Sequence, residues 1–119
     1  MKYKVMIVED QTMPRELFEL RIQSSEHFET ALSIDNASLA EVYCLRFPVD
    51  LILMDVVTRN GENGLDAAAK IKRAFPKIKI IIVTSMPEYS YLSRAREIGV
   101  ESFWYKEEQR ESLLDVMER

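Results

Sequence analysis

Two apolar runs in this chain end in acids: "KVMIVED" closes on Glu9 and Asp10, and "DLILMDV" carries Asp55. If the three carboxylates meet in space, their repulsion raises the pKa of at least one unless a cation intervenes. A hard divalent ion held by oxygen ligands answers that need. Mg²⁺ keeps several waters and takes few protein carboxylates, so it suits this set better than zinc, which prefers His and Cys. A carboxylate beside Mg²⁺ can attack phosphorus and form an aspartyl phosphate. Two further runs offer what that product needs. "IIVTS" carries the hydroxyl of Thr84 and "FWYK" the ammonium of Lys106, a donor and a compact cation for phosphoryl oxygens.

These groups act together only if the fold brings them together. The runs Val5–Val8, Leu51–Met54 and Ile80–Val83 are short and rich in Val and Ile, as in strands buried on both faces of a parallel sheet. "ETALSI" and "ESFWY" supply two more. Helical spacing fills the gaps. Met13, Leu17 and Leu20 fall at steps of four and three, with Pro14 harmless in the first turn. Asn36 suits the cap of a helix holding Ala37, Ala40 and Cys44, which Pro48 keeps from continuing. Leu65, Ala68, Ile71 and Phe75 form a stripe between Gly64 and Pro76. Tyr91, Ala95 and Ile98 form another, and Leu113, Leu114 and Met117 mark a closing helix.

Strand and helix thus alternate five times, and right-handed crossovers predict an open parallel sheet with helices on both faces. Ligands bind such sheets outside the carboxyl ends of the strands, where the strand order reverses. For the order 2-1-3-4-5 that point lies between the first and third strands, which end in Glu9, Asp10 and Asp55. The acids are expected to converge.

The 119 residues are enough for one domain with a single core, and 47% hydrophobic with 30% charged residues marks an ordered globular chain. No apolar stretch has the length of a membrane helix. The lone cysteine, Cys44, cannot form an internal disulfide, which suits a cytoplasmic location. A net charge of −4 argues against this segment gripping nucleic acid by itself.

Five reacting groups at successive strand ends, in this order, resemble the receiver domain of a bacterial two-component response regulator over essentially all of residues 1–119. The fold implied is α/β, a three-layer, flavodoxin-like (βα)5 sandwich with a parallel five-stranded sheet in the order 2-1-3-4-5. By the resemblance, Glu9 and Asp10 match the Mg²⁺-binding acidic pair, Asp55 the phosphoacceptor, and Val57 a backbone-carbonyl ligand to the metal. Thr84 matches the switch hydroxyl, Phe103 the switch aromatic and Lys106 the phosphoryl-binding lysine. The "FWYKE" ending resembles receivers of the LuxR/NarL type, whose helix-turn-helix output domain would lie outside this chain and alone contact DNA. Two departures stand out: Glu107 occupies a position usually held by proline, and the loop "VVTRNGENG" lacks the common Met-Pro and is one residue longer before Gly64.

The resemblance implies phosphoryl transfer from a sensor histidine kinase to Asp55, homodimerisation on phosphorylation, and no classical enzyme activity. Lys106 would pair with one phosphoryl oxygen while Thr84 moves to another. Phe103 then rotates and reshapes the surface of the fourth helix, fifth strand and fifth helix. Val57 and Met86 would wall the phosphoryl group with apolar side chains that cannot orient water, so dephosphorylation is expected to be slow. Phe103, without a hydroxyl, should be governed by packing.

Each residue also has a plainer reading. An acid can simply close a strand, Thr84 can be strand filler, and Lys106 can be solvated. His27 reads as a surface residue, Cys44 as small core, and Trp104 as an edge cover or partner contact. The "GENG" residues suit turns. Among rival functions, a haloacid-dehalogenase-like phosphatase lacks its second Asp, since Val57 stands there. An FMN carrier lacks its phosphate loop in "EDQTMPRE". The surviving rival is a pseudo-receiver, a protein-interaction module that is not phosphorylated.

Overall fold

The computed structural model describes residues 1–85, 89–106 and 112–118, so the expectations for Met86 and Glu107 fall outside the described residues. Strands β1 (Tyr3–Val8), β2 (Phe28–Ile34), β3 (Leu51–Asp55), β4 (Lys79–Thr84) and β5 (Ser102–Tyr105) alternate with helices. These are α1 (Thr12–Gln23), α2 (Ala40–Arg46), α3 (Gly64–Ala74), α4 (Tyr89–Ile98) and α5 (Leu113–Glu118). The sheet is parallel, in the expected order β2-β1-β3-β4-β5.

Alternation along each central strand divides the core in two. Met6, Val8, Ile52, Met54, Ile80 and Ile82 face the layer built from α2, α3 and α4, which contributes Ala40, Cys44, Leu65, Ala68, Ile71 and Ala95. Val5, Ile7, Leu51, Leu53, Ile81 and Val83 face α1 and α5, which contribute Phe18, Ile22, Leu113, Val116 and Met117. Strands covered on both faces must be apolar throughout, which is why the central runs show no polar alternation.

Local signals set the helix ends. Asn63 Oδ1 accepts from the amides of Leu65 (2.7 Å) and Asp66 (3.2 Å), capping α3. Asn36 accepts from Ser38 N and opens a 3₁₀ turn, Ala37–Leu39, that leads into α2. Gly99, at φ +87°, takes the left-handed position that ends α4, its amide reaching the Ala95 carbonyl at 3.1 Å.

Burial settles two points that spacing left open. The stripe Met13, Leu17, Leu20 does not face the core: these side chains are exposed, and α1 buries Phe18 and Ile22 instead. Both stripes have helical spacing, so periodicity alone did not choose between them. Trp104 is not an edge cover. It is 4% exposed, meets Phe18 edge-on at 6.3 Å, and lies under the Arg21 guanidinium at 5.4 Å.

Candidate functional site

The register Val8↔Met54 sets the ends of β1 and β3 side by side, so Glu9 and Asp10 arrive next to Asp55. One oxygen from each of the three carboxylates lies within 4.8 Å of the others. Their surroundings differ. Glu9 is fully buried, Asp55 is 8% exposed and Asp10 is half-buried. Asp55 Oδ1 accepts from the Val56 amide at 2.8 Å. Burial, together with the neighbouring Glu9 charge, pushes the Asp55 carboxyl up to about 7 despite the opposing pull of Lys106.

The next strand ends complete the set. β4 and β5 pair through Thr84↔Tyr105, and the Lys106 amide donates to the Thr84 carbonyl at 2.8 Å. This throws the Lys106 side chain over the acids. Its ammonium donates to Glu9 Oε1 and, at 3.3 Å, to Asp55 Oδ2. Thr84 is buried at the adjoining strand end. Phe103 is half-buried, packs against the α2–α4 core and sits 5.1 Å from the Tyr105 ring.

The segment after Asp55 holds two residues to which the sequence reading gives no part in the site. Gly64 was treated as a turn former, yet its role is steric. A β-carbon there would lie 1.8 Å from the Asp55 carbonyl oxygen. Only glycine lets α3 begin this close, with the Gly64 amide donating to the Val56 carbonyl at 2.6 Å. Thr58 is the other, a hydroxyl with only 2% exposure. Neither would be found from a strand-end pattern, though a glycine opening a helix is a signal that could have been used. Val57 is half exposed beside them.

A sequence model of the response regulator receiver domain matches residues 5–118. The chain belongs to that family. This receiver domain is 28% identical over 111 residues to the oxygen regulatory protein NreC of Staphylococcus haemolyticus, covering 93% of the chain but 51% of that protein. It therefore spans about half the length of the curated relatives it matches. A LuxR-family DNA-binding response regulator from Staphylococcus aureus superposes with a TM-score of 0.88 at 27% identity, covering 98% of this chain and 96% of that one. A LuxR-family two-component response regulator from Aurantimonas sp. SI85-9A1 superposes at 0.89 with 20% identity, covering 99% and 84%, and shares the fold. Both of these solved structures are LuxR-family regulators, and the domain is a signalling unit rather than a classical enzyme.

The receiver's acidic cluster suits a hard cation. It offers carboxylate oxygens alone, with no His or Cys among them, and burial with the Glu9 charge beside it pushes Asp55 well above the usual carboxylate range. Asp10 and Asp55 are the residues that would hold Mg²⁺ directly. Glu9 is committed to Lys106 through Oε1, and its Oε2 lies 3.3 Å from the Gln11 amide, so it would contribute mainly charge.

Proposed function

We propose that Asp55 accepts a phosphoryl group from a sensor histidine kinase. The observation that carries this reading is the Lys106 ammonium lying 3.3 Å from Asp55 Oδ2, with the buried Thr84 at the next strand end. In the transfer, an Asp55 oxygen bonds to phosphorus as the bond from phosphorus to the kinase imidazole breaks. When bound, Mg²⁺ would neutralise charge on the transferring group.

The chain's own residues do the rest. Lys106 holds the Asp55 carboxylate in place before transfer and supplies a cation for one phosphoryl oxygen afterwards. Thr84 donates to another. Phe103, half-buried beside Tyr105, responds by packing, and the α4–β5–α5 surface changes with it. Val57 offers no group to orient water, so the phosphoryl group is long-lived. The output is transcriptional, through a DNA-binding domain outside these residues, with homodimerisation on phosphorylation and a cytoplasmic location.

Intact-mass measurement after incubation with acetyl phosphate and Mg²⁺ tests the reading. One phosphoryl adduct is expected, and none in Asp55→Asn. No adduct in the unaltered protein, despite Mg²⁺ binding, would favour a phosphorylation-independent interaction module.

A further inference from the structure

The loop that departs from the family pattern is itself a small built structure. Val57 and Asn63 face each other as an isolated antiparallel pair. The rungs on either side are Thr58 N to Glu62 O, at 3.0 Å, and Gly64 N to Val56 O, at 2.6 Å. Bonds on both sides of a pair and none within it define a non-hydrogen-bonded pair, so the N–H and C=O of Val57 lie outside the ladder. Among the described residues no hydrogen bond reaches the Val57 carbonyl. Asn60 and Gly61 close the far end with φ of +62° and +71°, the left-handed pair that a tight Asn-Gly turn requires.

Thr58 anchors this ribbon to the rest of the protein. Its buried Oγ1 donates to the Glu62 carbonyl at 3.0 Å and accepts from the Ala37 amide at 2.9 Å, which opens the turn before α2. The neighbouring Arg59 repeats the tie to that turn. Its amide donates to the Asp35 carbonyl at 3.0 Å, and its Nε pairs with Asp35 Oδ2 at 2.9 Å.

We propose that Thr58 is a positioning residue that fixes the backbone of Val57 so that its carbonyl stays available to a divalent cation held by Asp10 and Asp55. A hydroxyl with one donated and one accepted bond does this by locking both arms of the ribbon against the turn before α2. The proposal rests on the reading of the acidic cluster as a Mg²⁺ site, and it adds a residue that reaches the cation only through the backbone beside it. Partners behind a ligand commonly change affinity about 10–100-fold when removed.

The test is calorimetric titration of the protein with MgCl2 alone, paired with the ¹³C shift of the Val57 carbonyl and the thermal midpoint of the metal-free protein. In the unaltered protein, Mg²⁺ should bind and move the Val57 carbonyl resonance. Thr58→Val, which keeps the shape and removes the hydroxyl, should weaken Mg²⁺ about tenfold or more and shrink that movement. Thr58→Ser should restore both. If Thr58→Val does not fold, Thr58→Ala is read instead, since its smaller side chain leaves room for water on Ala37 N–H; the same loss is expected. A variant that melts earlier yet binds Mg²⁺ like the unaltered protein overturns the proposal, as does a Val57 carbonyl that stays still while Mg²⁺ binds. An unaltered protein that takes up no Mg²⁺ instead defeats the metal-site reading beneath it.

Discussion

A β-carbon on Gly64 would lie 1.8 Å from the carbonyl oxygen of Asp55 and 2.9 Å from Cγ of Met54. Neither neighbour can yield, because β3 is buried and paired on both sides. Gly64→Ala is therefore expected to cost about 2–4 kcal/mol, the upper range for forcing atoms into a packed interior. Urea unfolding measures it. A change within about 0.5 kcal/mol would mean that α3 can back away freely.

Stability of the metal-free protein should depend on pH through Asp55. Its folded pKa, about 7, lies above its ordinary 3.8, so between those values the folded state holds a proton that the unfolded chain has lost. Stability then falls as pH rises from about 4 to 7 and levels off above, with a slope of at most about 1.4 kcal/mol per pH unit from this group. The exposed His27, raised by its bond to Glu118, adds a loss in the same direction as pH climbs through its titration. Denaturation in chelator across this range, compared with Asp55→Asn, isolates the first effect: the substitution should flatten the curve. An unchanged curve would assign the dependence elsewhere.

Removing Lys106 strands two acids. Glu9 is fully buried and shares the ammonium with Asp55, so Lys106→Met should destabilise the chelated protein by about 3–5 kcal/mol near neutral pH. Adding Glu9→Gln to that variant should recover part of the loss. A double-mutant cycle measures the coupling, expected to be about 1–3 kcal/mol. Strict additivity would mean that the contact does not join the two groups energetically.

On α1, Leu17→Ser should change stability by no more than about 0.5 kcal/mol. Phe18→Ala, one residue on, should cost about 3–5 kcal/mol and alter the fluorescence of Trp104, whose ring centroid lies 6.3 Å from that of Phe18. Equal costs at the two positions would restore the stripe first read from spacing.

The alternation of Val- and Ile-rich runs with helical stretches was enough to predict an open parallel sheet with helices on both faces, and the order 2-1-3-4-5 came with the resemblance to receiver domains. Asp55, Asp10, Glu9, Thr84 and Lys106 were legible for the same reason: each stands at a strand's carboxyl end, and a parallel sheet gathers those ends at one edge. Identity and position along the chain sufficed. That the Lys106 ammonium bonds both Glu9 and Asp55 was not legible, because a side chain's partner depends on which strand lies beside its own.

Other features belonged to the tertiary structure alone. Met13, Leu17 and Leu20 and the pair Phe18 and Ile22 occupy one helix with equally good spacing, and only docking against β1, β3 and Trp104 decided which face was buried. Gly64 reads as a turn residue until the distance to the Asp55 carbonyl is known. Nothing in the sequence around Thr58 marks its hydroxyl as buried, and only the turn before α2, whose Ala37 amide donates to it, makes it so. Periodicity and polar strand ends are properties of a chain taken one segment at a time, so the sequence by itself determined the layers and the gathering of the acids. Close approach, burial of a hydroxyl and the sharing of one cation between two acids are relations between residues 9 to 97 positions apart, and they came into being only with the folded molecule.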